Sequence, residues 1–278
     1  MNADAFSRLS IIIVNYNTRE DLRLCLAALH ECRPLPEIIV VDNASTDGSV
    51  EMIRESFPAI RLLAPGRNTW FTGGNNLGLK AATREFVLLL NPDTIAPPEA
   101  LAALVEFADA HPEYAGVTAQ LRYPDGVVQH TCSRLPTYAY LLLNHTPLGW
   151  LLPGQRAKLN ARHWYAGWQR DTGLEVEVVP GSCILGRRGD WLLNEDLLLY
   201  FPEDDLGRRV QPRKFYFLPS ARIIHRENSA TGNWNAKRIY FRDLIVYTRQ
   251  HHGVIRAGLL WLLSRPMLWG MWLKRRLS

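Results

Sequence analysis

The chain of 278 residues has no glycine-rich phosphate loop. Lys80 does not stand in a Gly-Lys-Ser/Thr setting, and no Gly-x-Gly-x-x-Gly run occurs, which disfavours P-loop nucleotide sites and dinucleotide-binding folds. Cysteine is scarce. Cys25, Cys32, Cys132 and Cys183 show neither metal-ligand nor disulfide-framework spacing, so a reducing compartment is expected. No uncharged apolar run reaches the roughly 20 residues that span a bilayer. The opening stretch MNADAFSRLSIIIVNYN lacks a small-residue cleavage pattern and is expected to form a first strand, not a secretion signal. A strong charge of either sign is also missing. The net charge of +5 permits anionic partners and selects none, and the spread of basic residues without a reader motif argues against nucleic acid.

What is present is a core and an alternation. Hydrophobic residues make up 47% of the chain, enough for one large domain or two fused lobes. Strands are predicted at Ser10 to Asn15, Glu37 to Val41, Ile60 to Leu63 and Glu85 to Leu90, with helices at Asp21 to Cys32, Asp47 to Phe57, Gly74 to Arg84 and Pro97 to Ala110. That order argues for an α/β fold: a mostly parallel central sheet flanked by helices. The second half is less regular. Pro124-Asp125-Gly126 signals a hairpin turn, Ala157 to Asp171 reads as a mobile loop, and short strands are expected at Glu175 to Val179, Ser182 to Leu185, Phe215 to Leu218 and Arg222 to His225. Asn235 to Gln250 reads as a helix, so the division is a first lobe (1–115), a second lobe (116–234) and a C-terminal helical extension (235–278).

Four segments place polar residues just after apolar runs, where open α/β sheets bind ligands. IIIVNYN brings Asn15, Tyr16 and Asn17. VVDNASTDGS brings Asp42, read as a contact to a base or ribose, while Ser45, Thr46 and Asp47 read as helix caps. LLLNPDT ends a strand on Asn91 and Asp93. Asp93 suits a hard divalent cation that also holds phosphate oxygens, and a helix cap is the plainer alternative. Between these, NTWFTGGNNLG sets Gly73 and Gly74 ahead of a helix expected near Asn75, so that backbone amides could approach an anion.

The fourth segment, YFPEDDLGRR, crowds Glu203, Asp204 and Asp205 together. Such carboxylates repel, so at least one should hold its proton unusually tightly, and one could take a proton from an acceptor hydroxyl. An acidic first turn favoured by the helix dipole is the alternative. His225 closes a strand after this segment and can be structural or a ligand. The stretch AGLLWLLSRPMLWGMWLKRRLS joins tryptophans to Lys274, Arg275 and Arg276. It suits a headgroup interface, or else a buried last helix with a basic end.

Together these segments resemble the family 2 glycosyltransferases of GT-A fold, in their bacterial rhamnosyltransferase-like branch, from about Ser10 to Gly253. NTWFTGGNNLG resembles the family's Asn-x-Gly-Phe-x-x-Gly-x-Asn-x-Gly segment, with Trp70 where Gly is usual. The resemblance implies an inverting transfer from a nucleotide sugar, with dTDP-rhamnose the expected donor, to a cell-surface glycan or lipid-linked saccharide in polysaccharide and envelope biosynthesis. It makes the first lobe the nucleotide-sugar lobe, through Asn15, Tyr16, Asn17, Asp42, Asn68, Gly74, Asn75 and Asn91. It makes the second the acceptor-binding and catalytic lobe. Asp93 and His225 inherit the hold on Mg²⁺ or Mn²⁺, with Asn91 in place of the first Asp of a DxD-type site. The acidic motif is shifted, so pairing Glu-Asp makes Asp204 the base and ungapped matching from Leu206 makes it Glu203. A cytoplasmic enzyme at the inner face of the plasma membrane is expected. A sugar-phosphate nucleotidyltransferase is disfavoured because IIIVNYNTRE has no glycine, and a catalytically silent binding scaffold is the non-enzymatic alternative.

Overall fold

The computed structural model describes residues 3–190, 192–227 and 234–277. Its first part runs α1 (Ala3–Ser7), β1 (Leu9–Asn15), α2 (Arg19–Leu29), β2 (Glu37–Asp42), α3 (Ser49–Ser56), β3 (Arg61–Leu63), α4 (Trp70–Ala81) and β4 (Phe86–Leu90). β5 (Thr94–Ile95), α5 (Pro98–Ala110) and β6 (Gly116–Arg122) follow. Three helices are then inserted: α6 (Tyr138–His145), α7 (Leu148–Leu151) and α8 (Pro153–His163). β7 (Leu174–Val176), β8 (Cys183–Arg187), α9 (Pro202–Arg209) and β9 (Phe215–His225) complete the sheet, and α10 (Trp234–His252) and α11 (Val254–Leu277) extend it.

The strands form one sheet in the order β3-β2-β1-β4-β8-β6-β9-β5, with β7 also paired to β9. β3, β2, β1 and β4 are parallel neighbours, as the strand–helix alternation requires. Beyond them the sheet is mixed, because β8 runs antiparallel to both β4 and β6. The sheet therefore passes without a break from the first lobe into the second. Side chains alternate across it, as the twofold period of a strand demands. Ile11, Ile13, Val40 and Leu88 pack with α2 and α5 on one face, and Ile12, Ile39 and Leu89 pack with Leu79 of α4 on the other. Both faces are covered, which is why β1, β2 and β4 read as continuous apolar runs. A third cluster, around Leu141, Phe241, Leu244, Tyr247 and Leu260, joins α6, α10 and α11.

Four expectations change. The first half of the segment expected to be a loop, from Ala157 to His163, belongs to helix α8, whose residues are mostly exposed, so no apolar period marks it; the rest, to Asp171, is irregular. The two short strands after Phe215 are one strand, β9, that pairs with β6 across an irregularity at Ala119/Gln120. The Tyr123–Gly126 turn forms with Gly126 at φ 87°, but only an isolated bridge from Arg122 to Val128 follows it. Helix α4 starts at Trp70, so Gly73 and Gly74 lie inside it rather than ahead of it. Their neighbourhood gives the reason. A Cβ on Gly74 would stand 2.8 Å from Val14 Cγ1, and one on Gly78 would overlap Ile12. These glycines bring α4 down onto β1, which is a packing role and not an anion cradle.

Candidate active site

The carboxyl ends of β1 and β2 meet in register, Asn15 beside Asp42. Asn15 Nδ2 donates to Asp42 Oδ1 at 2.8 Å and to Ser45 Oγ at 3.0 Å, and the Ser45 amide donates to Asp42 Oδ2 at 2.9 Å. Asn17, in the left-handed region at φ 54°, accepts from the Thr46 amide at 2.8 Å. Asp42 is thus buried and bonded through both oxygens, and its carboxylate braces the two strand ends. Tyr16 stands exposed above them. Asn68 accepts from the Trp70 amide at 2.8 Å, while Trp70 sits at φ 62°. A bulky residue in that region carries strain, which accounts physically for glycine being usual at this position. Asn75 is buried and donates to the Phe71 carbonyl at 2.8 Å.

Asp93 and His225 come together where β5 pairs with the end of β9, with His225 Nε2 at 3.4 Å from Asp93 Oδ1. Gln129 fixes the ring. Its Nε2 donates to the His225 carbonyl at 2.8 Å, which leaves Oε1 to accept from Nδ1–H at 2.9 Å. With Nδ1 held as the donor, Nε2 is the ring atom that faces the carboxylate, and a cation could sit between the two. Among the described residues no group of three or more His, Cys, Asp or Glu gathers at such a point. Two protein ligands nevertheless fit Mg²⁺ or Mn²⁺, which take much of their coordination from substrate phosphates and water. Asn91 lies alongside, its amide donating to the Ser182 carbonyl at 3.1 Å. Asn228 and Ser229 of the same motif lie outside the described residues.

A cavity of about 380 Å³ opens in front of α9, and its wall reaches His130, the residue after Gln129. Its wall includes His130, Gly181, Phe201, Glu203 and Asp204, faced by Tyr140 of α6, His163 of α8 and Tyr240 of α10. Phe201 takes a left-handed conformation, φ 66°, and Pro202 then starts α9. That sharp entry turns Glu203 and Asp204 inward, Glu203 lying against Gly181, where a Cβ would collide with it. Burial pushes Glu203 up to about 8 and Asp204 up to about 7, Arg208 partly offsetting the latter. Asp205 does not line this cavity. Burial alone would raise it, but hydrogen bonds from His251 at 2.8 Å and Arg209 at 2.7 Å outweigh that and hold it low. It anchors α9 to α10. Three adjacent acids therefore have two fates, set by which way the helical turn points each one.

Several residues of the site carried no signal in the sequence. Asp243 of α10 is fully buried, and its Oδ2 accepts from the amides of Leu198, Leu199 and Tyr200 at 3.0, 2.9 and 3.0 Å. It shapes the approach to α9 from behind. α4 holds the same segment from the front, with the Phe71 amide and Thr72 Oγ1 donating to the carbonyls of Leu198 and Leu197. His145 Nδ1 donates to the Leu141 carbonyl at 2.7 Å, so its Nε2 accepts from the Tyr240 hydroxyl at 2.6 Å. His163 is stacked on Tyr140, its Nδ1 is buried without a partner, and burial pushes it down to about 4, so it is neutral.

Comparison with known proteins identifies the family. Residues 10–190 match the family model of glycosyl transferase family 2, a span that stops short of Glu203 and Asp204. Over 92% of its length the chain is 26% identical to the N-acetylglucosaminyl-diphospho-decaprenol L-rhamnosyltransferase of Mycobacterium tuberculosis, covering 89% of that protein. It is 27% identical to the low-salt glycan biosynthesis hexosyltransferase Agl10 of Haloferax volcanii, over 73% of this chain and 61% of that one. Among solved structures, a mannosyltransferase from Pyrobaculum calidifontis in complex with GDP-Man and Mn²⁺ superposes with a TM-score of 0.56 at 18% identity. That superposition covers 87% of this chain and 63% of the mannosyltransferase, and it shows a shared GT-A fold. With its strand ends, acidic helix and family match in agreement, the chain belongs to glycosyl transferase family 2 and is a glycosyltransferase.

Proposed function

We propose that this glycosyltransferase moves rhamnose from dTDP-rhamnose to a hydroxyl of a lipid-linked saccharide in envelope glycan synthesis, by one inverting displacement with Asp204 as general base. The observation that carries this reading is the pair Glu203 and Asp204 in the wall of the cavity, in a chain that also brings Asp93 and His225 together. Burial raises both acids and they repel each other, while Arg208 favours the charge on Asp204, which is therefore assigned the base. A base whose pKa is near the working pH is well matched to taking a proton from an alcohol. Asp204 takes the acceptor O–H proton as that oxygen bonds to the anomeric carbon. The bond from that carbon to the diphosphate breaks on the opposite side, and the diphosphate leaves with the electron pair. A divalent cation held by Asp93 and His225 would neutralise the charge on that leaving group. Asn15, Tyr16, Asn17, Asp42, Asn68, Gly74, Asn75 and Asn91 belong in this reading to the surface facing the nucleotide. Most of them act by bracing it. Tyr140 and His163 offer the acceptor sugar flat rings, and rhamnose itself is supported by the activity of the Mycobacterium relative. A lipid-linked acceptor places the enzyme on the cytoplasmic face of a membrane.

Calorimetry of dTDP, UDP and GDP, with and without Mn²⁺, tests the donor half on wild type and Asp93→Ala. Metal-dependent binding of dTDP that is lost in the variant is expected. Binding indifferent to metal and to Asp93 would favour a silent nucleotide-binding scaffold.

A further inference from the structure

Helix α11 is apolar on two opposite sides. Ala257, Leu260 and Ser264 are buried, and Leu268 and Met271 continue that side into the cluster shared with α6 and α10. On the outer side Ile255, Leu259, Leu262, Pro266 and Trp269 recur at alternating steps of four and three residues, which is one helical stripe. They face solvent, Ile255 at 89% and Trp269 at 66% exposure. A surface helix normally turns polar residues outward, so this stripe has the composition of a covered one. A second element repeats the pattern. At α7, Trp150 and Leu151 are 66% and 75% exposed, and Leu152 follows.

α6 links the two. Its first residue, Tyr138, donates to the Arg256 carbonyl at the start of α11 at 3.1 Å, and Leu141 shares a cluster with Leu260 and Leu268. Its last residue, His145, meets Tyr240 near the start of α10, and α10 and α11 are joined by the turn at Gly253. α6 therefore runs in the same direction as α11 and delivers α7 toward the Trp269 half.

Charge selects the occupant. Residues 126–170, which hold α6, α7 and α8, carry five Lys or Arg and no Asp or Glu. Residues 244–278, which hold α11, carry six Lys or Arg and again no acid, so all 27 acidic residues lie elsewhere. The side chains of Lys274, Arg275 and Arg276 lie outside the described residues. Tryptophan beside basic residues on an otherwise apolar stripe fits the headgroup boundary of an anionic bilayer. Among the described residues no helix is long and apolar enough to cross a membrane, so α11 would lie in the plane. We infer that α7 and the outer side of α11 form one surface that docks on an anionic lipid bilayer. That the cavity, walled by Tyr140 of α6 and His163 of α8, then receives its acceptor from the same bilayer rests on the proposed lipid-linked acceptor.

Vesicle flotation of the full chain tests the surface. Phosphatidylcholine vesicles are compared with vesicles that also contain phosphatidylglycerol, at low and high salt. Wild type is expected to float with the anionic vesicles, at least tenfold less without phosphatidylglycerol and less at high salt. Trp150→Ser/Leu151→Ser and Ile255→Ser/Leu262→Ser/Trp269→Ser should each weaken flotation about tenfold, with nucleotide binding and thermal unfolding unchanged. Equal flotation of wild type and both variants would overturn the inference. So would a wild type that ignores vesicles and sediments as a dimer that the α11 variant splits, since the stripe would then be an interface between copies. Nucleotide calorimetry on the same samples scores the donor reading independently of flotation.

Discussion

At the strand ends of the first lobe, polar groups are answered by one another: Asn15 by Asp42 and Ser45, Asn17 by Thr46, Asn43 by Thr69 and Trp70. In the cavity of the second lobe they are not. Glu203 and Asp204 accept from their own backbone amides, with no side-chain hydrogen bond to either among the described residues, and His163 keeps an unpaired nitrogen. The first arrangement makes a rigid surface whose exposed edges meet a ligand. The second stores poorly satisfied acids where a substrate can complete them. Rigidity and reactivity are thus divided between two ends of one sheet.

The sharpest break in that comparison is Asp204→Asn. It should lower turnover about a thousandfold, the size of a lost general base, while dTDP affinity by calorimetry stays unchanged. Next is Asp243→Ala, which leaves three half-buried amides without their acceptor and empties a fully buried carboxylate site. A loss of about 3 kcal/mol in urea unfolding is expected, because an unmatched buried polar group costs on the order of 1 kcal/mol or more, and turnover should fall with it.

The third prediction uses the sign of the Glu203 shift. Its folded pKa of about 8 lies above the ordinary 4.5, so between those values the folded protein holds a proton that the unfolded chain has released. Stability therefore falls as pH rises through that window. Glu203→Gln removes this contribution, and its unfolding free energy should exceed wild type by a few kcal/mol at pH 8, by less at pH 6, and match it at pH 4. The smallest effect tests the donor side. Gly78→Ala sets a Cβ into Ile12, and overpacking should outweigh the better helix propensity by about 1 kcal/mol in thermal or urea unfolding.

The parts legible in the sequence were those fixed by local pattern. β1, β2 and β4 announced themselves because burial on both faces leaves long apolar runs, and their polar ends followed. The resemblance to family 2 rested on those same ends. The start of α4 was displaced because Gly73 and Gly74 look like a turn until Val14 and Ile12 are seen beneath the helix. α8 was missed because its polar sequence shows no buried stripe, and β9 was divided because Pro219 and Ser220 interrupt its apolar pattern. Asp243 could not be read at all. Its partners are backbone amides of a distant segment, which have no sequence signature. The turn at Phe201, from which α9 starts and carries Glu203 and Asp204 inward, was hidden likewise, since residue type alone does not announce a left-handed phenylalanine.

The hold of Asp243 on residues 198–200 also sets a timetable. A nascent chain that has grown through α9 already owns its acids, yet the carboxylate that bends the backbone toward them has not been made. The order of translation becomes an order of activation. The shape of residues 198–200, and with it the entry to α9, must wait until α10 has left the ribosome.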